Sequence, residues 1–215
     1  TDGHQFCFAC NTHVKGDGTV TEVETKKANL GLITGQYQDL IKRKIREDTC
    51  RKYGYQVGEY NGQPVQIAPY FDSEGQMVAQ KVRFPNKDFK ILGDISKAHL
   101  FGANLWNQGK KIVITEGATK AIKRNLEALS KFEEIILMFD MDEAGQKAAR
   151  ECAELFEAGK AKVASLPYKD ANECLQKGKE DAIIQAIWNA KTFRPDGVIS
   201  GAELWDQITC EETIE

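Results

Sequence analysis

No apolar run in this 215-residue chain approaches the roughly 20 residues that a membrane-spanning helix needs, so a soluble protein is expected. Residues Thr1 to Cys10 carry neither a basic n-region nor an apolar h-region, which argues against a signal or transit peptide. A disulfide framework is also lacking. The six cysteines, at positions 7, 10, 50, 152, 174 and 210, are scattered through a chain large enough to fold without staples, and only Cys7 and Cys10 have an informative spacing. A reducing cytoplasm is the simplest setting. Nor is positive charge in excess: a formal net charge of −3 excludes a uniformly basic nucleic-acid binder, although binding depends on where charge lies. The chain shows no internal repeat and no low-complexity tract.

What is present is an uneven charge distribution, and enough apolar residues, 41%, to build one α/β domain with a short accessory module. Between Gln76 and Lys111 the bases Lys81, Arg83, Lys87, Lys90, Lys97, Lys110 and Lys111 stand against Asp88 and Asp94 alone. From Gly201 onward the charged residues are Glu203, Asp206, Glu211, Glu212 and Glu215, so a basic central segment is followed by an acidic tail. The basic segment reads either as a nucleic-acid contact or as an ordinary solvated face.

Asp2 to Cys10 has the form of one zinc-ribbon knuckle, a short hairpin strand delivering the thiolates of Cys7 and Cys10. Structural zinc takes four ligands, so His4 and a residue elsewhere, or a first ligand pair upstream, must complete the shell; the alternative is two buried or redox cysteines. Residues 14–36, with Gly16, Gly18, Gly31 and Gly35, have a linker composition. Gln38 to Lys52 is a helix-like basic stretch carrying Lys42, Arg43, Lys44 and Arg46, stopped by Gly54 and able to lie beside nucleic acid. Tyr55 to Lys90 alternates apolar and polar residues between the turns Asn61-Gly62 and Asp72-Ser73-Glu74-Gly75, which predicts a β-meander with Lys81 and Arg83 on one face and Gln80 on the other.

From Lys110 the pattern becomes strand, helix, strand, helix, strand, which predicts a parallel sheet. Ile135 to Phe139 is continuously apolar, as expected of a strand covered on both faces. Three predicted strands end in loops bearing acids: Glu116, then Asp140 and Asp142, then Asp170. Ligands of open α/β sheets bind at the carboxyl ends of the strands, so these four acids are expected to converge there. Clustered carboxylates repel unless a hard cation neutralises them, and all-oxygen ligation suits Mg²⁺ or Mn²⁺. The competing reading of Asp142 or Asp170 alone is a helix N-cap. Gly117 and Gly145 then serve either close approach to a ligand or a tight turn.

Glu116-Gly117 after one strand and Asp140-Met141-Asp142 after a later one resemble the Toprim signature of bacterial-type primases, topoisomerases and some nucleases. More closely, Gln80-Lys81-Val82-Arg83, Leu100-Phe101-Gly102, Leu105-Trp106-Asn107, Ile136 to Gly145 and Lys169 to Glu173 resemble the primase half of the bifunctional primase-helicases of short-tailed phages. The resemblance implies a Toprim-like α/β fold: a parallel sheet with helices on both faces, preceded by a small β-meander and basic subdomain and a partial zinc-ribbon knuckle. The implied boundaries are a knuckle at 1–13, a linker at 14–36, the basic subdomain at 37–109, the metal-binding subdomain at 110–192, and at 193–215 a linker toward a helicase domain through which hexamers are expected to form.

By the same resemblance the chain makes RNA primers on single-stranded DNA from ribonucleoside triphosphates in a bacterial host's cytoplasm, without a membrane partner. Glu116, Asp140, Asp142 and Asp170 are the implied Mg²⁺ ligands. Lys81, Arg83 and Lys90 are the implied clamp on phosphates or template, with Lys42, Arg43 and Lys87 as further nucleic-acid contacts. His4, Cys7 and Cys10 belong to a zinc site of the full-length protein. Between Glu116 and Glu134 lie 17 residues, room for one crossover helix where the family has a further strand and helix, and Ala118, Thr119 and Lys120 stand where relatives carry a second acid. A primase-like DNA-binding module without catalysis, attached to a replicative helicase, and a Toprim nuclease or topoisomerase fragment are the alternatives.

Overall fold

The computed structural model describes residues 31–115 and 119–194 in full, the strand backbones 5–7, 12–14 and 20–22, and residues 201, 204 and 205. The chain divides into two compact units, Thr1–Gly31 and Leu32–Glu215. In the first, β1 (Gln5–Cys7), β2 (Thr12–Val14) and β3 (Val20–Glu22) form an antiparallel sheet in sequence order. Two of these strands reach into the segment that composition assigns to a linker from residue 14. Composition misleads there because strands of three residues leave no periodicity to read. Cys7 closes β1, while His4 and Cys10 lie outside the described residues.

The second unit opens with five antiparallel strands in sequence order: β4 (Gly35–Gln36), β5 (Gln56–Tyr60), β6 (Gln63–Phe71), β7 (Met77–Arg83) and β8 (Phe89–Gly93). Register fixes what each face carries. Gln66 pairs with Arg83 and Ala68 with Lys81 across β6 and β7, and Lys81 pairs with Ile91 and Arg83 with Phe89 across β7 and β8. The opposite face carries Val65, Ile67, Val82 and Leu92, a buried cluster closed by Leu32, Ile33, Tyr60 and Phe84. Gln80 lies on that buried face, where its amide accepts from Ile33 N at 2.9 Å and donates to Ile33 O at 2.8 Å, pinning the entering chain to the sheet.

The helix expected over Gln38 to Lys52 is broken in two. Ile41–Arg43 is a single 3₁₀ turn, Lys44 adopts φ 52°, and Leu40 and Ile45 bridge to one another; only then does α1 (Glu47–Tyr53) begin. Asp39 supports the late start, since its carboxylate accepts the N–H of Glu47, the first residue of the helix, at 2.6 Å. The basic residues Lys42 to Arg46 therefore sit on a tight turn.

The parallel sheet follows as predicted. β9 (Gly109–Ile114), β10 (Phe132–Leu137) and β11 (Ala161–Val163) are parallel, and a short antiparallel β12 (Lys191–Thr192) gives the order β12-β11-β10-β9. Ile135 to Phe139 are each at most 3% exposed. α2 (Thr119–Arg124), α3 (Leu126–Ser130) and α4 (Glu143–Ala153) cover one side through Ile122, Leu129, Ala149 and Cys152; α5 (Ala171–Gln176) and α6 (Glu180–Trp188) cover the other through Cys174 and Ala186. The two halves are joined by hydrogen bonds. Arg124 Nη1 donates to Ser96 O at 3.0 Å, His99 N donates to Phe71 O at 2.8 Å, and the His99 ring meets the buried Asn125 side chain.

Near the amino ends of the strands, Glu134 of β10 is held between Lys111 and Lys162, its hydrogen-bond partners on β9 and β11. Those hydrogen bonds hold its carboxyl below the usual range. A carboxylate lowered on folding stabilises the fold above its unfolded pKa, about 4.3, and stops doing so as pH falls through its folded value. Glu134→Gln is expected to lower the melting temperature at pH 7, and the gap to the wild type should close as pH is taken below about 4. A gap independent of pH in thermal melts would show that the charge at Glu134 contributes nothing.

Candidate metal and nucleic-acid site

Where each parallel strand ends, the chain passes from a buried strand into the first turn of a helix, whose N–H groups need acceptors. Asp142 caps α4, accepting from Gly145 N at 2.9 Å, and Asp170 caps α5, accepting from Glu173 N at 2.7 Å. Both acids thus perform the capping that sequence offers as the competing reading. One oxygen of each remains outside its cap, and that of Asp142 lies 3.7 Å from Lys169 Nζ.

Asp140, half-buried, stands three residues beyond β10. Its carbonyl accepts from Gln146 Nε2 at 3.0 Å, and a Cβ at position 145 would overlap that same oxygen. Gly145 is therefore required for close approach of the helix to the chain's own backbone. Met141 N donates to Lys169 O at 2.7 Å, tying the loop of Asp140 and Asp142 to the loop of Asp170. The end of β9 is brought alongside by parallel pairing of Ile114 with Leu137 and by Met138 N donating to Ile114 O at 2.9 Å. Glu116 and Gly117 lie outside the described residues.

Among the described residues no group of three or more His, Cys, Asp or Glu side chains is gathered to hold a metal ion. The donors that topology brings to this edge, Asp140 with the uncapped oxygens of Asp142 and Asp170, are all hard oxygen ligands. Their chemistry fits Mg²⁺ or Mn²⁺.

The basic residues divide between surfaces. Lys81 and Arg83 share the face of the meander away from the Val65–Leu92 cluster, whereas Lys90 pairs with Val82 and so lies on the opposite face, where its Nζ donates to Tyr60 Oη at 2.8 Å. A period of two puts Phe89, not Lys90, beside Arg83. Lys87 is exposed at the tip of the β7–β8 turn with φ 74°. Lys42 is exposed on the 3₁₀ turn, and its neighbour Arg43 reaches the acid side: Arg43 Nε donates to Asn172 Oδ1 at 3.4 Å, and Asn172 Nδ2 donates to Arg43 O at 2.8 Å. Asn172 is two residues beyond Asp170 in α5.

Sequence reasoning misses Tyr55. Its phenol donates to Gln66 Oε1 at 2.8 Å, and Gln66 is the register partner of Arg83. Burial raises the Tyr55 pKa, while the guanidiniums of Arg43 and Arg83 pull it down. Tyr55 is thus hydrogen-bonded to the register partner of Arg83 and feels the charge of both arginines. Asn172 at least lies inside a recognisable motif; no pattern marks Tyr55.

A meander feeding a parallel sheet, with acids grouped at the carboxyl ends of its strands, defines a Toprim-like protein. The family described as Toprim-like matches residues 99–175, and that described as the bacteriophage T7 DNA helicase/primase N-terminal a+b fold matches residues 35–93. The DNA helicase/primase of Enterobacteria phage T3 is 38% identical over 247 residues, taking in 97% of this chain and 44% of that protein. The chain thus spans less than half the length of this curated relative. The alignment is longer than the stretch of chain it covers, so the relative carries residues this chain lacks.

The primase fragment of the bacteriophage T7 primase-helicase is 38% identical with a TM-score of 0.69, over 86% of this chain and 90% of that one. A chain in the structure of T7 lagging-strand DNA polymerase interacting with primase domains of two gp4 subunits, bound to an RNA/DNA hybrid and dTTP, is 43% identical with a TM-score of 0.70, over 77% of this chain and 97% of that one. The E. coli primase catalytic core, 12% identical with a TM-score of 0.53 over 80% of this chain and 76% of that one, shares the fold. This chain belongs to the family of phage helicase/primase primase domains.

Asp140→Asn tests the acid edge. Millimolar Mg²⁺ or Mn²⁺ is expected to raise the melting temperature of the wild type by a few degrees, roughly what saturation well above Kd gives, and to leave the variant unmoved. Without metal the variant should melt close to the wild type, because the amide keeps the carboxylate's size and an accepting oxygen. A variant plainly destabilised in the absence of metal, with neither protein responding to the ion, would make Asp140 a structural residue only.

Proposed function

We propose that this chain is the RNA-polymerising domain of a DNA primase, making short RNA primers on single-stranded DNA from ribonucleoside triphosphates during replication. The observation that supports this reading is the pair of hydrogen bonds between Arg43 and Asn172, which ties the basic turn that precedes the meander to the helix that follows Asp170. Lys81 and Arg83 on the meander hold phosphates of template or nucleotide, and Arg43 adds positive charge toward Asp170. Asp140 and Asp142, with Glu116 and Asp170, hold the divalent ion. Mg²⁺ bound there supplies the charge that eases ionisation of a primer 3′-hydroxyl and stabilises leaving pyrophosphate.

Lys90 faces the other side of the sheet and stands apart from this clamp. In the full-length protein His4, Cys7 and Cys10 join further ligands around zinc, a helicase domain follows and assembles as a hexamer, and the host cytoplasm is the setting. The second reading, a DNA-binding module without catalysis, draws on the short crossover between β9 and β10 and on Ala118, Thr119 and Lys120 where a second acid is expected.

The assay is primer synthesis on a single-stranded template with labelled ribonucleotide and Mg²⁺, run beside DNA binding at several salt concentrations. Short labelled RNA is expected from the wild type and none from Asp140→Asn. Lys81→Ala and Arg83→Ala should each weaken binding and reduce the salt slope by about 0.7 for every phosphate left without its cation. DNA binding without any primer would favour the second reading.

A further inference from the structure

Three large aromatic side chains with nearby lysines stand exposed on the second unit: Phe89 at 61%, Trp106 at 48% and Trp188 at 70%. Trp188 lies against Lys111, beside the Glu134 ion pairs near the amino ends of the strands and so away from the acid loops. Lys52 covers Trp106. Phe89 differs in its company. It is the register partner of Arg83, Lys81 Nζ lies 4.5 Å from its ring centroid, and Lys87 sits two residues before it at the turn tip. The one acid in that turn, Asp88, accepts a hydrogen bond from Asn86 Nδ2 at 2.7 Å.

A lone exposed phenylalanine needs no explanation, but this one is an apolar plane set among three cations, Lys81, Arg83 and Lys87. Lys87 adds a second observation. It occupies the left-handed region, which glycine adopts freely and a residue with a Cβ does not, so the turn tip carries a cation where the backbone favours glycine. An aromatic plane beside regularly placed positive charge matches the two parts of a single-stranded nucleic acid, base faces and phosphates.

We infer that Phe89 is a stacking platform for a base of the single-stranded DNA template, with Lys81, Arg83 and Lys87 placed on the flanking phosphates. The inference rests on the primase reading for its ligand and adds the residue that the base meets. Lys81 approaches one part of the ring surface, and the exposed remainder receives the base. Sequence tolerance follows, because every base presents a π-face.

The test is binding of an oligothymidylate of about ten nucleotides to the full chain as wild type, Phe89→Ala, Phe89→Trp and Arg83→Ala, each first checked by thermal melting. Phe89 is exposed, so Phe89→Ala should melt as the wild type does. It is expected to bind about tenfold more weakly with an unchanged salt slope, since the ring carries no charge, whereas Arg83→Ala flattens the slope. Phe89→Trp should retain affinity and show fluorescence quenching on DNA addition beyond that of the wild type's own tryptophans. Unchanged affinity in Phe89→Ala, or no added quenching in Phe89→Trp at saturating DNA, overturns the platform while leaving primer synthesis standing. Quenching by ATP alone and not by DNA would assign the ring to a nucleotide and overturn the template assignment. A wild type that binds no DNA sinks both this inference and the function on which it rests.

Discussion

Ile135 to Phe139 meet almost no water, and most of the second half of the chain follows from that burial. A strand buried on both faces needs a layer of helix on each side, supplied by α2, α3 and α4 on one and by α5 and α6 on the other. It also needs a hydrogen-bonding neighbour on either flank, which β9 and β11 provide in parallel. Asp140 is the first residue after this run, so the place where the chain regains water is also the place where its acids begin. The absent side chain of Gly145 then lets α4 start immediately, and the loop has no slack.

The meander is the other half of the unit, and its attachment is polar. Arg43 to Asn172, His99 to Asn125 and Arg124 to the carbonyl of Ser96 are directional contacts. Such contacts fix orientation more than they add stability, since a hydrogen bond contributes only about 1 kcal/mol net. Orientation is what the proposed two-sided site requires, the meander bringing Lys81 and Arg83 and the sheet bringing Asp140, Asp142 and Asp170.

The parallel sheet, its doubly buried strand and the loops of Asp142 and Asp170 are legible in the sequence because each has a strong local signature: a period, an apolar run, or a polar residue before a helix. Simple alternation places Lys81 and Arg83 on one face. It cannot separate Lys90 from them, because charge and proximity in sequence say nothing about faces once a turn intervenes; the register of β7 with β8 is needed. The basic stretch around Arg43 looks helical from its composition, and the helix starts past it, at Glu47, whose N–H the Asp39 side chain accepts. Gln80 stands in a recognisable motif yet binds Ile33, a contact across 47 residues that no local pattern encodes. Phe89 carries no signal of its own, since one aromatic residue in an edge strand is ordinary until its neighbours across the sheet are known.

β9 ends the parallel sheet, and among the described residues no strand lies beyond it. Its outer N–H and C=O groups therefore form a ready template for any extended chain that drifts alongside, the usual starting point for edge-to-edge aggregation. Lys111 is engaged with Glu134 on the inner neighbour, which leaves the exposed Lys110 at the start of that strand to place positive charge where an incoming copy would bring its own, so one residue of the central basic segment also opposes self-association along this edge.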